Sequence, residues 1–206
     1  MNKFIELSHV LNENTPVYPS DDKMKLYQTK FLEKDYYNDS RLETGMHVGT
    51  HIDASSHMLD TKKYICDYPI DKFIGEGVIF DVRGLEIIDT EHIDSDKIKE
   101  DDIVLLYTNF DKYFGEDKYY EKYPVITEKL AKLFVSKKIK MLGMDMPSPD
   151  YFPFEIHKIL MEKEIIIMEN LTNLSHIKQK DKFEIYAFPL NIKAEGSLAR
   201  VIAKII

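Results

Sequence analysis

Between residues 103 and 168 the chain alternates short apolar runs with amphipathic ones, and this alternation constrains the fold more than any other feature. Residues 103–108, 139–145 and 164–168 are strand-length and rich in β-branched or other apolar side chains, as buried strands are. Residues 127–138 place Leu130, Leu133 and Phe134 at helical spacing, with Thr127 as an N-cap. Residues 154–163 place Ile156, Ile159 and Leu160 on one face. Strand, helix, strand, helix, strand implies parallel pairing with right-handed crossovers. Further strands are expected at 77–82, 183–190 and 199–206. The segments 4–10 and 24–31, like the final strands, have few helices between them and suit antiparallel pairing. The expectation is an α/β fold with a mixed sheet, in one compact domain over residues 1–206.

Composition narrows the function. Forty-four per cent of the residues are apolar, enough for a real core and too many for a disordered chain. The net charge is −8 with both signs interspersed. Without a basic face or an aromatic-plus-basic stripe, nucleic acid is not expected as a partner. Cys66 is the only cysteine, so an internal disulfide framework is excluded. That suits a reducing, cytoplasmic setting, with Cys66 read as a small buried hydrophobe. Residues 1–6 lack the apolar stretch of a signal peptide, and no run approaches the ~20 apolar residues of a membrane span.

Chemistry concentrates in His47-Val48-Gly49-Thr50-His51-Ile52-Asp53-Ala54-Ser55-Ser56-His57, where three imidazoles and one carboxylate fall within eleven residues. Neutral imidazole and carboxylate are ligands of Zn²⁺ and Mn²⁺. Gly45, Val48, Gly49, Thr50 and Ile52 are poor helix formers, which places the cluster on a strand end and loop. There His51 and Asp53, two apart, point the same way, and Gly49 permits a sharp bend or a close approach. Downstream, residues 143–150 form a polar turn after a strand, where α/β sheets usually build their sites. His157 lies on the helix that follows. Glu169 ends an apolar strand, where a carboxylate is costly unless paired or metal-bound.

These residues resemble the cyclase-like metal-dependent hydrolases, among them bacterial kynurenine formamidases. The pattern H-x-G-T-H-x-D-x-P-x-H is matched by His47 through His57, and G-x-D-x-x-S-x-D by Gly143 through Asp150. A histidine twelve residues before E-N-L is matched by His157 and Glu169-Asn170-Leu171. Leu7-Ser8-His9 and Pro16-Val17-Tyr18-Pro19 are also similar to the family. Two positions depart: Ser55 stands in place of the family's proline, and Tyr18 where formamidases often carry tryptophan.

The resemblance implies a swivelling β/β/α type of domain, assembled as a homodimer or homotetramer. It implies a first metal ion on His47, His51 and Asp53, and a second on Asp53, His157 and Glu169, with both carboxylates bridging. His57 would be the general acid/base and Tyr18 a substrate contact. One or two Zn²⁺ ions are expected, with Mn²⁺ as the alternative. The implied substrate is a small amide, an N-formyl aromatic amine such as N-formylkynurenine, hydrolysed by metal-activated water. The residues alone indicate only a small amide, ester or lactam, with Phe31, Tyr36 and Tyr37 as further pocket candidates. A lyase or cyclising reaction on the same metal, and a non-catalytic binding protein, are the other classes. His57 argues against the last, because a binding module needs no acid/base.

Overall fold

The computed structural model describes residues 3–178 and 180–206. Its strands are β1 (Lys3–Glu6), β2 (Lys25–Lys30), β3 (Asp39–Glu43), β4 (His51–Asp53), β5 (Ile74–Asp81), β6 (Ile87–Ile88), β7 (Ile103–Tyr107), β8 (Val125–Ile126), β9 (Met141–Met144), β10 (Ile166–Glu169), β11 (Phe183–Pro189) and β12 (Gly196–Ile205). The helices are α1 (Leu32–Asp35), α2 (Lys118–Glu121), α3 (Glu128–Lys137) and α4 (Glu155–Met161).

The main sheet runs β1-β12-β11-β5-β7-β9-β10-β4, and β4 also pairs with β12, so the sheet closes on itself as a barrel. Strands β5, β7, β9 and β10 are mutually parallel. Strands β4, β11, β12 and β1 complete it with antiparallel pairings. The expected mixed sheet is present, with α3 and α4 crossing between the parallel strands. β4 and β1 share one edge of the long strand β12, β4 against Gly196–Leu198 and β1 against Ile202–Ile205. The first strand is shorter than expected: β1 stops at Glu6, and beyond it Ser8 makes only a single bridge to Leu171. β2 and β3 form a separate two-stranded ribbon, as do β6 and β8.

Two apolar layers follow from the pleat. Ile103 and Leu105 join Ile52, Met141, Ile166, Met168, Ile185 and Val201 in one cluster, to which every strand of the barrel wall contributes. Their neighbours Val104 and Leu106 join Leu142, Ile167, Leu130, Phe134 and Leu160 in a second, between the sheet and the two long helices. α3 forms as expected, with the Thr127 hydroxyl accepting from Leu130 N. Cys66 is only half-buried, in a short 3-10 turn, rather than in the core.

Candidate metal centre

The alternation that fills the barrel also sets up the site. Ile52 of β4 belongs to the inner cluster, so His51 and Asp53 on either side of it face outward. On the adjacent β10, Met168 faces in, and Glu169 lies opposite His51 in the register. α4 packs over this outer face and brings His157 to it. Three elements, β4, α4 and β10, thereby place their polar groups at one point.

The geometry is close. His51 Nε2 lies 3.4 Å from Asp53 Oδ1 and 3.3 Å from Glu169 Oε2. His157 Nε2 lies 3.3 Å from Glu169 Oε1 and 3.8 Å from Asp53 Oδ2. His47 Nδ1 lies 2.7 Å from Asp53 Oδ1. The structure therefore assembles two triads, His47–His51–Asp53 and Asp53–His157–Glu169, that share Asp53. The ring of His57 stacks on His47, with centroids 3.9 Å apart, and stands edge-on to His157 at 6.2 Å.

Whether a cation fits can be asked of the buried atoms. His51 Nε2, Asp53 Oδ2 and Glu169 Oε1 are all shielded from solvent without a hydrogen-bond partner. Unpartnered buried polar atoms are costly, and here they belong to ligand-type side chains converging on one point. The donor set of three imidazoles and two carboxylates suits a divalent ion. The outward nitrogens support the same reading. His51 Nδ1–H donates to Gly49 O at 2.8 Å, which leaves Nε2 bare. His157 Nδ1–H donates to Asp150 Oδ1 at 2.6 Å, which turns Nε2 toward Glu169 and Asp53. Such outer acceptors fix the tautomer and aim of a metal-binding histidine.

The titration of the site reflects its crowding. Burial opposes ionisation of Asp53, yet His47, His51 and His157 hold it well below the usual carboxylate range. Burial likewise opposes a charged His47, but Asp53, Glu195 and Glu169 outweigh it and raise its pKa to about 10. For His57 burial prevails, reinforced by His47 and His157 against Asp53 and Glu169, and its pKa is lowered.

A cleft of about 280 Å³ opens above the cluster. Tyr18 lines it as expected, set edge-on against Tyr120 with centroids 5.7 Å apart, and Met58, Pro147 and Phe154 contribute further apolar wall. Phe31, Tyr36 and Tyr37 do not line it. They are exposed on and beside the β2–β3 ribbon, because the turn joining those strands carries them away from the barrel.

Other residues with a part here were given no role by the sequence. Asp150 orients His157 and accepts from Ile156 N at 2.6 Å; its place in the 143–150 turn was the signal for it. Asn170 donates to Gly49 O, and its amide oxygen accepts from Tyr119 OH at 2.8 Å. Tyr120 and Glu195 carried no signal of their own. Ser55 uses its side chain where a proline could not, bonding Tyr68 OH at 2.8 Å and Met161 O at 3.0 Å. Its backbone N–H also reaches Tyr68 OH.

The chain is similar to known proteins along nearly its whole length. The kynurenine formamidase of Bacillus cereus (strain ATCC 14579) is 28% identical over 209 residues, covering 98% of each chain. That of Bacillus anthracis is also 28% identical, with the same coverage. In fold, the chain is similar to isatin hydrolase A of Labrenzia aggregata, with a TM-score of 0.88 at 21% identity over 98% of this chain and 93% of that one. It is also similar to a “predicted metal-dependent hydrolase” of Bacillus stearothermophilus, with a TM-score of 0.82 at 25% identity over 99% and 98% of the two chains. The model of the Cyclase family (“Putative cyclase”) matches residues 5–151, which include the His47–His57 cluster, and the chain belongs to that family.

Proposed function

We propose that the protein hydrolyses a small N-acyl arylamine, with an N-formyl amine of the N-formylkynurenine type as the first candidate. It is a metal-dependent amide hydrolase of the arylformamidase type. The observation that carries the finer reading is the pair of triads sharing Asp53 beneath an aromatic-walled cleft. His47, His51 and Asp53 would hold one ion, and Asp53, His157 and Glu169 a second. Zn²⁺ is the ion these donors favour, with Mn²⁺ the alternative. When bound, the ion supplies Lewis acidity, which polarises a carbonyl and lowers the pKa of water far below its bulk value of ~15.7.

The chain's own residues do the rest. The carboxylates of Asp53 and Glu169 offset part of the cationic charge. Asp150 and the Gly49 carbonyl keep the two buried imidazoles aimed. Burial keeps His57 neutral near pH 7, so it can accept a proton from the attacking water and pass it to the leaving nitrogen. Tyr18, Tyr120 and Phe154 hold an aryl ring and exclude water. Hydrolysis of a lactam or ester would use the same groups, and the fold shared with isatin hydrolases keeps a cyclic amide as the second substrate class. Homodimeric or homotetrameric assembly and a cytoplasmic setting belong to the same reading.

The test is turnover of a formanilide series and of a lactam, before and after chelation. Formanilide hydrolysis that is lost with chelator and restored by Zn²⁺ or Mn²⁺ is expected. Turnover indifferent to chelation, or none on any amide, would overturn the proposal.

A further inference from the structure

Each buried histidine of a metal site must place its second nitrogen somewhere. His51 places Nδ1–H on Gly49 O, and His157 places Nδ1–H on Asp150. His47 is turned the other way. Its Nδ1 points at Asp53, into the first triad, and its Nε2 points outward and lies 3.5 Å from Glu195 Oε1. Nε2 is itself shielded from solvent and forms no hydrogen bond, and the Glu195 carboxylate is the acceptor that approaches it.

We propose that Glu195 is the positioning residue of His47: its carboxylate accepts from Nε2–H, keeps Nδ1 directed at the ion, and so sets the metal affinity of the first triad. This rests on the metal-centre reading above.

The barrel closure carries the argument. Ala54 N donates to Glu195 O at 2.8 Å, and Gly196 lies opposite Asp53 where β12 meets β4. The backbone of residues 195–196 is therefore tied to the strand that bears His51 and Asp53. At Gly196 a Cβ would come within 2.7 Å of His47 Cε1 and 3.0 Å of Ile52 O. The glycine leaves room for the ring, and the glutamate beside it supplies the acceptor. The two form one seat for His47. The Glu195 side chain is 44% exposed. Replacing it opens no core cavity, and its contact, longer than the other two, is the adjustable one of the three.

The experiment is zinc affinity by competition with a chromophoric chelator, on wild type, Glu195→Gln, Glu195→Ala and a remote control, Glu164→Gln. Thermal melts of the metal-free proteins accompany it. Glu195→Ala should bind zinc about 10–100-fold more weakly, the usual effect of losing an outer partner. Glu195→Gln should lose clearly less, because its amide oxygen still accepts from Nε2–H. Control affinity should match wild type, and all metal-free forms should melt as folded proteins. Unchanged affinity in Glu195→Ala would overturn the proposal while leaving the metal centre intact. Equal losses in Glu195→Gln and Glu195→Ala would also overturn it, since that is how a direct ligand behaves. A wild type that binds no zinc would overturn the metal-centre reading first, and this proposal with it.

Discussion

At the scale of single residues, binding and chemistry are separable. His57 stacks on His47 but belongs to neither triad, whereas Asp53 belongs to both. His57→Ala should keep its metal and lose about 10²–10⁴-fold in turnover, the usual worth of a general acid/base. Asp53→Ala should lose metal and turnover together. Metal analysis beside formanilide kinetics checks both, and loss of metal from His57→Ala would make His57 a ligand. A second residue, His9, lies outside the centre. Its ring stacks on Phe114 at 3.7 Å, and its N–H donates to Thr50 Oγ1 beside His51. Burial, opposed by Asp111, lowers its pKa from 6.5 to about 4. Between those values the unfolded chain binds a proton that the folded one does not. The contribution is thus complete above the unfolded pKa of 6.5 and lost as pH falls toward 4, on the order of 3 kcal/mol. In the metal-free protein, His9→Gln should melt with a shallower pH dependence across that window; parallel curves would refute this.

At the scale of elements, periodicity was informative wherever one face of an element is buried. α3 follows the expected pattern at Leu130 and Phe134, which are buried with Ala131 against the sheet, while Leu133 is only partly buried. Phe134 is fully buried in the outer cluster, away from the metal ligands. Phe134→Ala should cost about 3–5 kcal/mol, read by urea denaturation, with zinc stoichiometry unchanged. A loss under ~1 kcal/mol would mean that the helix repacks freely. β4 was harder to read. It has only three residues, too few to show a period, and its strand character comes from partners on both sides, β10 and β12. The β2–β3 ribbon was legible in part, since its polar, exposed strands carry little apolar alternation.

At the scale of the whole molecule, the outer face of the β1–β12–β11 region is mixed. Phe4, Phe188 and Leu190 are exposed there beside the ion pairs Arg200–Glu6 and Lys204–Glu184. We expect a homodimer or homotetramer, and a monomeric mass by light scattering at micromolar concentration would contradict it. No helix among the described residues is long and apolar enough to cross a membrane. The sequence by itself determined the strand–helix alternation, the parallel centre of the sheet, and the ligand-type residues His47, His51, Asp53, His157 and Glu169. These are visible because periodicity and residue chemistry are local properties. Only the tertiary structure decided that the sheet closes through β4 and β12, and that Asp150, Asn170, Tyr120 and Glu195 stand around the cluster. Those placements depend on strand register and on α4 packing across the barrel, contacts between segments up to about 150 residues apart in the chain, and no local pattern encodes them.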